Sequence, residues 1–260
     1  MAKIIAIANQ KGGVGKTTTT VNLSASLAFL GKKVLVIDVD PQGNTTSGLG
    51  VEKSSKMSIY EVIIDGENIH DAIVNTGIDT LKLCPSNMNL AGAEVELVSV
   101  ISRENQIKAA IEDIQGEYDY IFFDCPPSLG LLTVNALTAA NTILVPIQCE
   151  YYALEGLSQL MNTVRIVQKH LNKKLDVEGV VLTMFDARTN LSIQVVEEVK
   201  KYFKNKVYRT IIPRNIKLSE APSHGLPIIL YDDKSKGAEA YLQLAKEVIE
   251  NSEGGYSNGI

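Results

Sequence analysis

Two kinds of hydrophobic pattern alternate along this chain. Seven runs are rich in β-branched residues and apolar at consecutive positions, which predicts strands that are buried on both faces. The predicted strands span residues 3–8, 33–39, 80–84, 120–123, 142–147, 179–184 and 207–212. Between them apolar residues recur about every 3.6 positions. This period predicts helices over residues 17–30, 91–114, 130–139, 154–171, 190–203 and 237–250.

Strands that alternate with helices predict an α/β fold, in which a mostly parallel, twisted sheet is flanked by helices on both faces. No linker, repeat or low-complexity segment divides residues 1–250, so we predict one domain there. Residues 251–260 contain two adjacent glycines and predict a flexible tail. In such a sheet ligands bind at the carboxyl ends of the strands.

The segment after the first predicted strand carries the strongest chemical signal. It reads Asn9-Gln10-Lys11-Gly12-Gly13-Val14-Gly15-Lys16-Thr17. A strand, a glycine-rich turn and a helix together surround phosphates with backbone N–H groups. We expect Lys16 to reach the β- and γ-phosphates of a nucleotide, and the Thr17 hydroxyl to ligate Mg²⁺. The usual pattern has glycine where this chain has Gln10, and this chain adds a second lysine, Lys11.

Carboxylates follow two other predicted strands. Asp38 and Asp40 end the second strand, and side chains two apart on a strand point to the same side. They could orient water bound to Mg²⁺ or the water that attacks a phosphate, although Asp-Pro-x-Gly is also typical of a simple turn. Asp124 ends the strand at 120–123, and hydrophobic residues followed by Asp form the Walker-B pattern of Mg²⁺ sites.

Charge and composition narrow the classes of function. The net charge of −5 taken alone argues against a nucleic-acid-binding protein. Residues 1–160, however, carry 10 basic and 18 acidic residues, whereas residues 161–250 carry 15 basic and 11 acidic ones. This asymmetry indicates either a basic surface of this protein that binds a partner or ordinary solvated helix faces. Three widely spaced cysteines predict reduced, mostly buried thiols, and we expect a cytoplasmic protein without a signal peptide or membrane span.

Several motifs together resemble one family. The Lys11-Gly12-Gly13-Val14-Gly15-Lys16-Thr17 segment resembles the deviant Walker A motif of the ParA/MinD P-loop ATPases. Four other segments resemble the ParA, Soj-type chromosome-partitioning ATPases: Asp38-Val39-Asp40-Pro41-Gln42-Gly43-Asn44, Asp124-Cys125-Pro126-Pro127-Ser128, Gln148-Cys149-Glu150-Tyr151-Tyr152-Ala153-Leu154-Glu155-Gly156 and Ile212-Pro213-Arg214-Asn215. The similarity covers nearly the whole chain.

The resemblance implies an ATP-driven homodimer with slow basal hydrolysis. Lys11 would reach the partner's ATP, and Gly12 would let the partner's backbone approach. Asp40 would position or activate the attacking water, while Thr17, Asp38 and Asp124 would hold Mg²⁺. The expected nucleotide-binding residues are Lys11, Gly12, Gly13, Val14, Gly15, Lys16, Thr17, Thr18, Met184, Pro213, Arg214 and Asn215.

The resemblance also implies two macromolecular partners. The ATP-bound dimer would bind double-stranded DNA without sequence preference and so associate with the nucleoid. A ParB-type centromere-binding protein would stimulate hydrolysis. Arg188 is the first candidate for the DNA contact, because residues 186–190 match the family. The further candidates are Lys200, Lys217, Lys236 and Lys246.

Three alternatives stay open at this point. A MinD-like, membrane-associated ATPase would need a C-terminal amphipathic helix, and residues 251–260 contain no lysine. A nitrogenase-reductase-like carrier would need two matched cysteines per subunit, and Cys125 has no such second cysteine. A DNA-binding scaffold could use ATP only as a clamp, and phosphate release would distinguish it from an ATPase.

Overall fold

A single eight-stranded sheet forms the centre of the protein. The structure is a computed structural model and describes residues 1–53, 57–150 and 157–253. The strands are β1 (Lys3–Ile7), β2 (Val34–Asp38), β3 (Val74–Asn75), β4 (Leu81–Cys84), β5 (Tyr120–Asp124), β6 (Thr142–Gln148), β7 (Asp176–Phe185) and β8 (Val207–Pro213). Their order is β3-β4-β2-β5-β1-β6-β7-β8, and only β3 runs antiparallel to its neighbour. The predicted mostly parallel sheet is therefore confirmed.

Twelve α-helices lie in the described residues. They are α1 (Lys16–Phe29), α2 (Asn44–Gly48), α3 (Ile59–Ile64), α4 (Ile69–Ala72), α5 (Leu90–Glu96), α6 (Gln106–Ala110), α7 (Leu131–Ala139), α8 (Leu157–His170), α9 (Asn190–Phe203), α10 (Ile216–Glu220), α11 (Ile228–Tyr231) and α12 (Lys236–Glu253). No helix among them is both long enough and apolar enough to cross a bilayer.

Each face of the sheet carries its own apolar core. Alternate side chains of β1 point to opposite faces, so Ile4 joins one core and Ile5 the other. Helices α1 and α12 cover the second core through Leu27 and Tyr241. Helices α7, α8 and α9 contribute buried side chains to the first core. This two-sided cover explains why the central strands read as continuous apolar runs.

The carboxyl ends of three neighbouring strands converge. Strand β5 lies between β1 and β2, and Asp124 at its end is in register with both Ile7 and Asp38. The glycine-rich turn after β1 thus emerges beside Asp124, and Asp38 lies one strand further along the sheet. The fold brings the predicted chemical residues together at the expected edge of the sheet.

The predicted helix over residues 91–114 is wrong. Helix α5 ends at Glu96, two 3₁₀ turns follow at Leu97–Ser99 and Arg103–Asn105, and α6 is a separate short helix. Ser102 has a left-handed backbone with φ of 55°. The Asn135 side chain donates to the carbonyl of Arg103 and accepts from the N–H of Ile107, at 2.7 and 3.3 Å. These tertiary hydrogen bonds satisfy backbone groups that a continuous helix would have paired.

The C-terminal helix is longer than predicted. Helix α12 continues through Glu253, whose carboxylate lies 2.9 Å from the ammonium of Lys32, and Ser252 accepts from Lys3 at 3.0 Å. The predicted tail is therefore wrong for residues 251–253. Residues 254–260, and the predicted start of the helix at 154–156, lie outside the described part of the chain. The short elements α2, α3, α4, β3, α10 and α11 were not predicted.

Candidate nucleotide-binding site

The glycine-rich turn between β1 and α1 forms an open cradle. Gly13 and Gly15 adopt φ of 74° and 92°, a region that residues with a Cβ rarely occupy. A Cβ built on Gly12 or Gly13 would meet no atom within 4 Å, so the space above them is free. The Thr183 hydroxyl donates to the Val14 carbonyl at 2.8 Å, which fixes the turn to the end of β7.

A cavity of about 350 Å³ lies against this turn, and we call it the P-loop cavity. Its lining includes Gly12, Gly13, Gly15, Lys16, Thr17, Thr18, Asp40, Gln42, Asn44, Pro127 and Met184. Lys16 is 7% exposed and forms no ion pair with a described residue; its ammonium donates to the carbonyl of Lys11 at 3.2 Å. Burial lowers the pKa of Lys16. A buried ammonium held by a single carbonyl is suited to binding an anion.

Asp124 is buried beneath the turn and accepts three hydroxyl hydrogen bonds. Thr17 and Thr45 donate to Oδ2 at 2.8 and 2.7 Å, and Thr20 donates to Oδ1 at 3.1 Å. Burial raises the pKa of this carboxyl group, whereas the hydroxyl donors oppose that rise. Three donors from α1 and α2 therefore stabilise the carboxylate form.

Asp38 is also fully buried, at the end of the neighbouring strand. Its Oδ2 accepts from the N–H and hydroxyl of Thr46 at 2.8 and 2.7 Å, and its Oδ1 accepts from the N–H of Asp40 at 3.2 Å. Burial raises its pKa, and the nearby Asp124 carboxylate raises it further. Asp38 and Asp124 are thus a close buried carboxylate pair at adjacent strand ends.

Asp40 takes a different position from Asp38. Its side chain is among the lining of the P-loop cavity, and its Oδ1 accepts from the N–H of Gln42 at 2.9 Å. That contact is an Asx turn, so the turn interpretation of the motif is confirmed, whereas the role of Asp40 toward water stays a prediction. Asp40 therefore combines a local structural role with access to the cavity.

A second cavity of about 250 Å³ adjoins the first and shares Gly15, Thr18 and Met184 with it. We call it the side cavity. Its remaining lining comes from the ends of β7 and β8 and from α10, the 3₁₀ turn Ala221–His224 and α12. These residues are Thr183, Ile212, Pro213, Arg214, Asn215, Leu218, Ser219, Pro222 and Tyr241. An anion-binding cradle that adjoins a second pocket with mixed apolar and polar lining matches the shape of a nucleotide.

Comparison with known proteins agrees with this geometry. The family model described as an AAA domain matches residues 2–177. The Soj protein of Bacillus subtilis strain 168, named a sporulation initiation inhibitor, is 64% identical over 252 residues, which cover 96% of this chain and 100% of that protein. ParA of Myxococcus xanthus, named a chromosome-partitioning protein, is 53% identical over 96% of this chain and 88% of its own length. The chain belongs to the Soj/ParA family of chromosome-partitioning ATPases.

Solved structures similar to this Soj/ParA-family protein include nucleotide complexes. One is named cobyrinic acid a,c-diamide synthase of Mycobacterium smegmatis with ADP and magnesium; its TM-score is 0.87, its identity 37%, and the match covers 98% of this chain and 97% of that one. Another is MinD of Pyrococcus horikoshii with Mg-ADP, with a TM-score of 0.81, 27% identity and full coverage of both chains. These similarities confirm the P-loop NTPase fold.

The structure brings most predicted nucleotide-site residues of the Soj/ParA-family protein to the two cavities. Pro213, Arg214 and Asn215 line the side cavity. Lys11 and Val14 are not among the lining residues: the Lys11 N–H donates to Asn9, and Val14 is buried. Asp38 and Asp124 are buried and are not among the lining residues either, but Asp124 accepts a hydrogen bond from Thr17, which does line the P-loop cavity. Residues 151–156 of the motif starting at Gln148 lie outside the described residues.

Sequence patterns missed part of the side-cavity wall. Tyr241 of α12 lines it, and the Tyr241 hydroxyl lies 3.2 Å from the Thr19 hydroxyl on α1. Leu218, Ser219 and Pro222 complete that wall. Only the return of the last helix across α1 places Tyr241 there, so no local signal could have identified it.

The predicted DNA-contacting residues are all exposed and lie on several elements. Arg188 precedes α9, and its side chain is 87% exposed. Lys200 belongs to α9, Lys217 to α10, and both Lys236 and Lys246 to α12. The Lys217 ammonium already pairs with Glu220 at 2.8 Å. Exposure is compatible with the predicted role of these residues, which stays a prediction.

Proposed function

We propose that this protein is a ParA-type partition ATPase that drives chromosome or plasmid segregation. It binds ATP and Mg²⁺, forms a homodimer in the ATP-bound state, and in that state binds double-stranded DNA without sequence preference. A ParB-type centromere-binding protein stimulates hydrolysis of ATP to ADP and phosphate. The observation that carries the proposal is the pair of adjoining cavities around Gly15 and Lys16 in a Soj/ParA-family chain.

The nucleotide fits the residues that surround both cavities. The backbone of residues 12–18 and the buried ammonium of Lys16 would hold the phosphates. The side cavity would take the base between Met184, Pro213 and the residues that follow. The free space above Gly13 supports this assignment, because a side chain at that position would occupy the cradle.

The oxygen donors around Asp124 fit a magnesium ion. Mg²⁺ prefers hard oxygen ligands and often retains several waters. The Thr17 hydroxyl, supported by Asp124 and Asp38, would hold it, directly or through water. When bound, Mg²⁺ would neutralise charge on the phosphates. Asp40, which lines the same cavity, would position or activate the attacking water.

The dimer and the DNA surface rest on separate features. Lys11 would reach the partner's ATP, and the open space above Gly12 would admit the partner's backbone. Residues 161–250 carry the excess of basic residues, and Arg188 with the exposed lysines of α9, α10 and α12 would contact DNA phosphates. Closure of a dimer doubles the number of such contacts, which explains why DNA binding would require ATP.

Size-exclusion chromatography with light scattering tests the proposal. The purified protein is run with Mg·ADP and with Mg·ATP, each with and without plasmid DNA. We expect a monomer with ADP, a dimer with ATP, and co-elution with DNA only in the ATP sample. A protein that stays monomeric and does not bind DNA at saturating ATP would refute the proposal.

Two further measurements address the partner and the location. Phosphate release, measured alone and with DNA and a ParB-type protein, should rise on addition of the partner, whereas an ATP-dependent scaffold would release none. A fluorescent fusion should follow the nucleoid in the cytoplasm. ATP-dependent sedimentation with liposomes would instead favour the membrane-associated alternative.

A further inference from the structure

Helix α2 is attached to both buried carboxylates through two adjacent threonines. The Thr45 hydroxyl donates to Asp124 at 2.7 Å, and the Thr46 hydroxyl donates to Asp38 at 2.7 Å. Both threonines are fully buried. The two strands that carry these carboxylates are adjacent, so one short helix spans their ends.

Helix α2 has little stability of its own. It contains five residues, and its N-cap is Gly43, which provides no side-chain cap. A helix this short does not persist without tertiary contacts. Its position therefore depends on tertiary contacts, and the hydroxyls of Thr45 and Thr46 provide the ones that reach the buried carboxylates. The turn directly before it carries Asp40, so the attachment of α2 also limits where Asp40 can lie.

One oxygen atom links α2 to the phosphate-binding helix. Oδ2 of Asp124 accepts from Thr45 of α2 and from Thr17 of α1, at 2.7 and 2.8 Å. Thr20 of α1 donates to the other oxygen. Thr45 is thus the donor through which the segment after Asp40 is joined to the carboxylate expected to support Mg²⁺.

We propose that Thr45 is a positioning residue for ATP hydrolysis. Its hydroxyl holds α2 on Asp124, and this contact places Asp40 at the P-loop cavity. The residue does not itself touch the reacting atoms. The inference rests on the proposed ATPase function and extends it to a residue outside the strand-end carboxylates and the glycine-rich turn.

Hydrogen exchange of the nucleotide-free protein tests the attachment directly. Thr45→Val removes the hydroxyl at nearly constant volume, and Thr45→Ser retains it. We expect amides within residues 42–50 to exchange at least about tenfold faster in Thr45→Val and at the wild-type rate in Thr45→Ser. Unchanged exchange in Thr45→Val would overturn the proposal. Thr45→Ala supplies a second variant without the hydroxyl if the valine variant does not fold.

Thr20→Val is the matched control. It also removes a hydroxyl that donates to Asp124, but this donor belongs to α1 and not to α2. If Thr45 acts by holding α2, Thr20→Val leaves exchange within residues 42–50 unchanged. Equal acceleration in both variants would show a general effect of weakening Asp124, and the proposal would be wrong.

Kinetics supply the second readout. At saturating Mg·ATP we expect kcat of Thr45→Val to fall about tenfold, with KM within about twofold of wild type and recovery in Thr45→Ser. Equal kcat values for the valine variant and wild type would overturn the positioning role. A wild-type protein without any hydrolysis would instead refute the proposed function, and the exchange measurement would still decide whether Thr45 holds α2.

Discussion

Arg188 and Asp186 form a two-point ion pair on the surface of the protein. The Arg188 Nε and one terminal nitrogen lie 2.9 and 2.6 Å from the two oxygens of Asp186. This hydrogen bonding lowers the pKa of Asp186 to about 2. The carboxylate therefore holds the guanidinium in one orientation and competes with any phosphate that approaches it.

Arg188→Ala should weaken DNA binding without preventing dimerisation. The substitution removes one positive charge per subunit from the interface, so the slope of log affinity against log salt should decrease by about 0.9 for each phosphate that is no longer neutralised. Fluorescence anisotropy of a labelled duplex with ATP, over a salt series, measures this. Arg103→Ala is the control, since Arg103 also pairs with a neighbouring carboxylate but lies in the acidic part of the chain. An equal decrease in both variants would exclude a specific contact by Arg188.

Asp186→Asn should strengthen DNA binding. The substitution removes the charge that competes for Arg188 and would repel phosphate. Because the folded-state pKa of Asp186 is lowered, the carboxylate is ionised above about pH 2 and accepts a proton only as the pH falls through that value. Titration of Asp186 should therefore not change the affinity of the wild-type protein for DNA between about pH 6 and 8. Weaker binding by Asp186→Asn would contradict competition and indicate that Asp186 instead orients Arg188 for DNA.

Lys16→Ala should abolish measurable ATP binding. The ammonium is buried beside the P-loop cavity and forms no ion pair with a described residue, so the phosphates would supply its counter-charge. We expect an affinity at least about 100-fold weaker by isothermal titration calorimetry. Lys32→Ala, which removes a surface ammonium paired with Glu253, should bind as wild type does. Near-normal affinity of Lys16→Ala would place the phosphates elsewhere.

Asp40→Ala should bind ATP but hydrolyse it much more slowly, so that dimers accumulate. The Asp40 side chain lines the P-loop cavity, whereas the P-loop residues and Lys16 would provide phosphate binding. Light scattering at saturating ATP measures the dimer fraction over time. Asp233→Ala, at an exposed position, is the control and should return to monomer as ATP is consumed. A monomeric Asp40→Ala protein under saturating ATP would refute the assigned role.

Local patterns were sufficient to predict that the glycine-rich turn and the strand-end carboxylates lie at the same edge of the sheet. The turn at residues 11–17 and the strand-end residues Asp38 and Asp124 are evident in the sequence, and parallel strands bring their carboxyl ends together. The contacts of Thr45 and Thr46 were not predicted, because a five-residue helix has no clear hydrophobic period. Tyr241 was missed for a related reason: its position depends on packing between distant helices.

The broken segment around residues 91–114 shows where periodicity misleads. Its apolar spacing is helical, but the side chain of Asn135 on α7 forms hydrogen bonds with the Arg103 carbonyl and the Ile107 N–H. A side chain distant in sequence thereby replaces the backbone partners that these two groups would have in a continuous helix. Helix propensity and hydrophobic period reflect only interactions between residues close in sequence. Tertiary contacts of this kind can therefore override both.

A contact between Gly50 and Gly225 yields a prediction about stability. Gly50 follows α2, and Gly225 ends the 3₁₀ turn that lines the side cavity; both have positive φ. A Cβ on Gly50 would lie 2.8 Å from the Gly225 carbonyl oxygen. Gly50→Ala should therefore lose about 2–4 kcal/mol of unfolding free energy, the sum of a left-handed backbone cost and a steric clash.

Gly31→Ala separates these two contributions. Gly31 has φ of 84°, yet a Cβ there would meet no atom within 4 Å. Gly31→Ala should lose only about 1–2 kcal/mol of unfolding free energy, which is the cost of a left-handed backbone for alanine. Urea unfolding followed by circular dichroism measures this loss. The difference between the two variants then measures how tightly the segment after α2 packs against the wall of the side cavity. If both variants lose the same free energy, the two segments can separate without cost, and the Gly50–Gly225 contact does not stabilise the arrangement of the site.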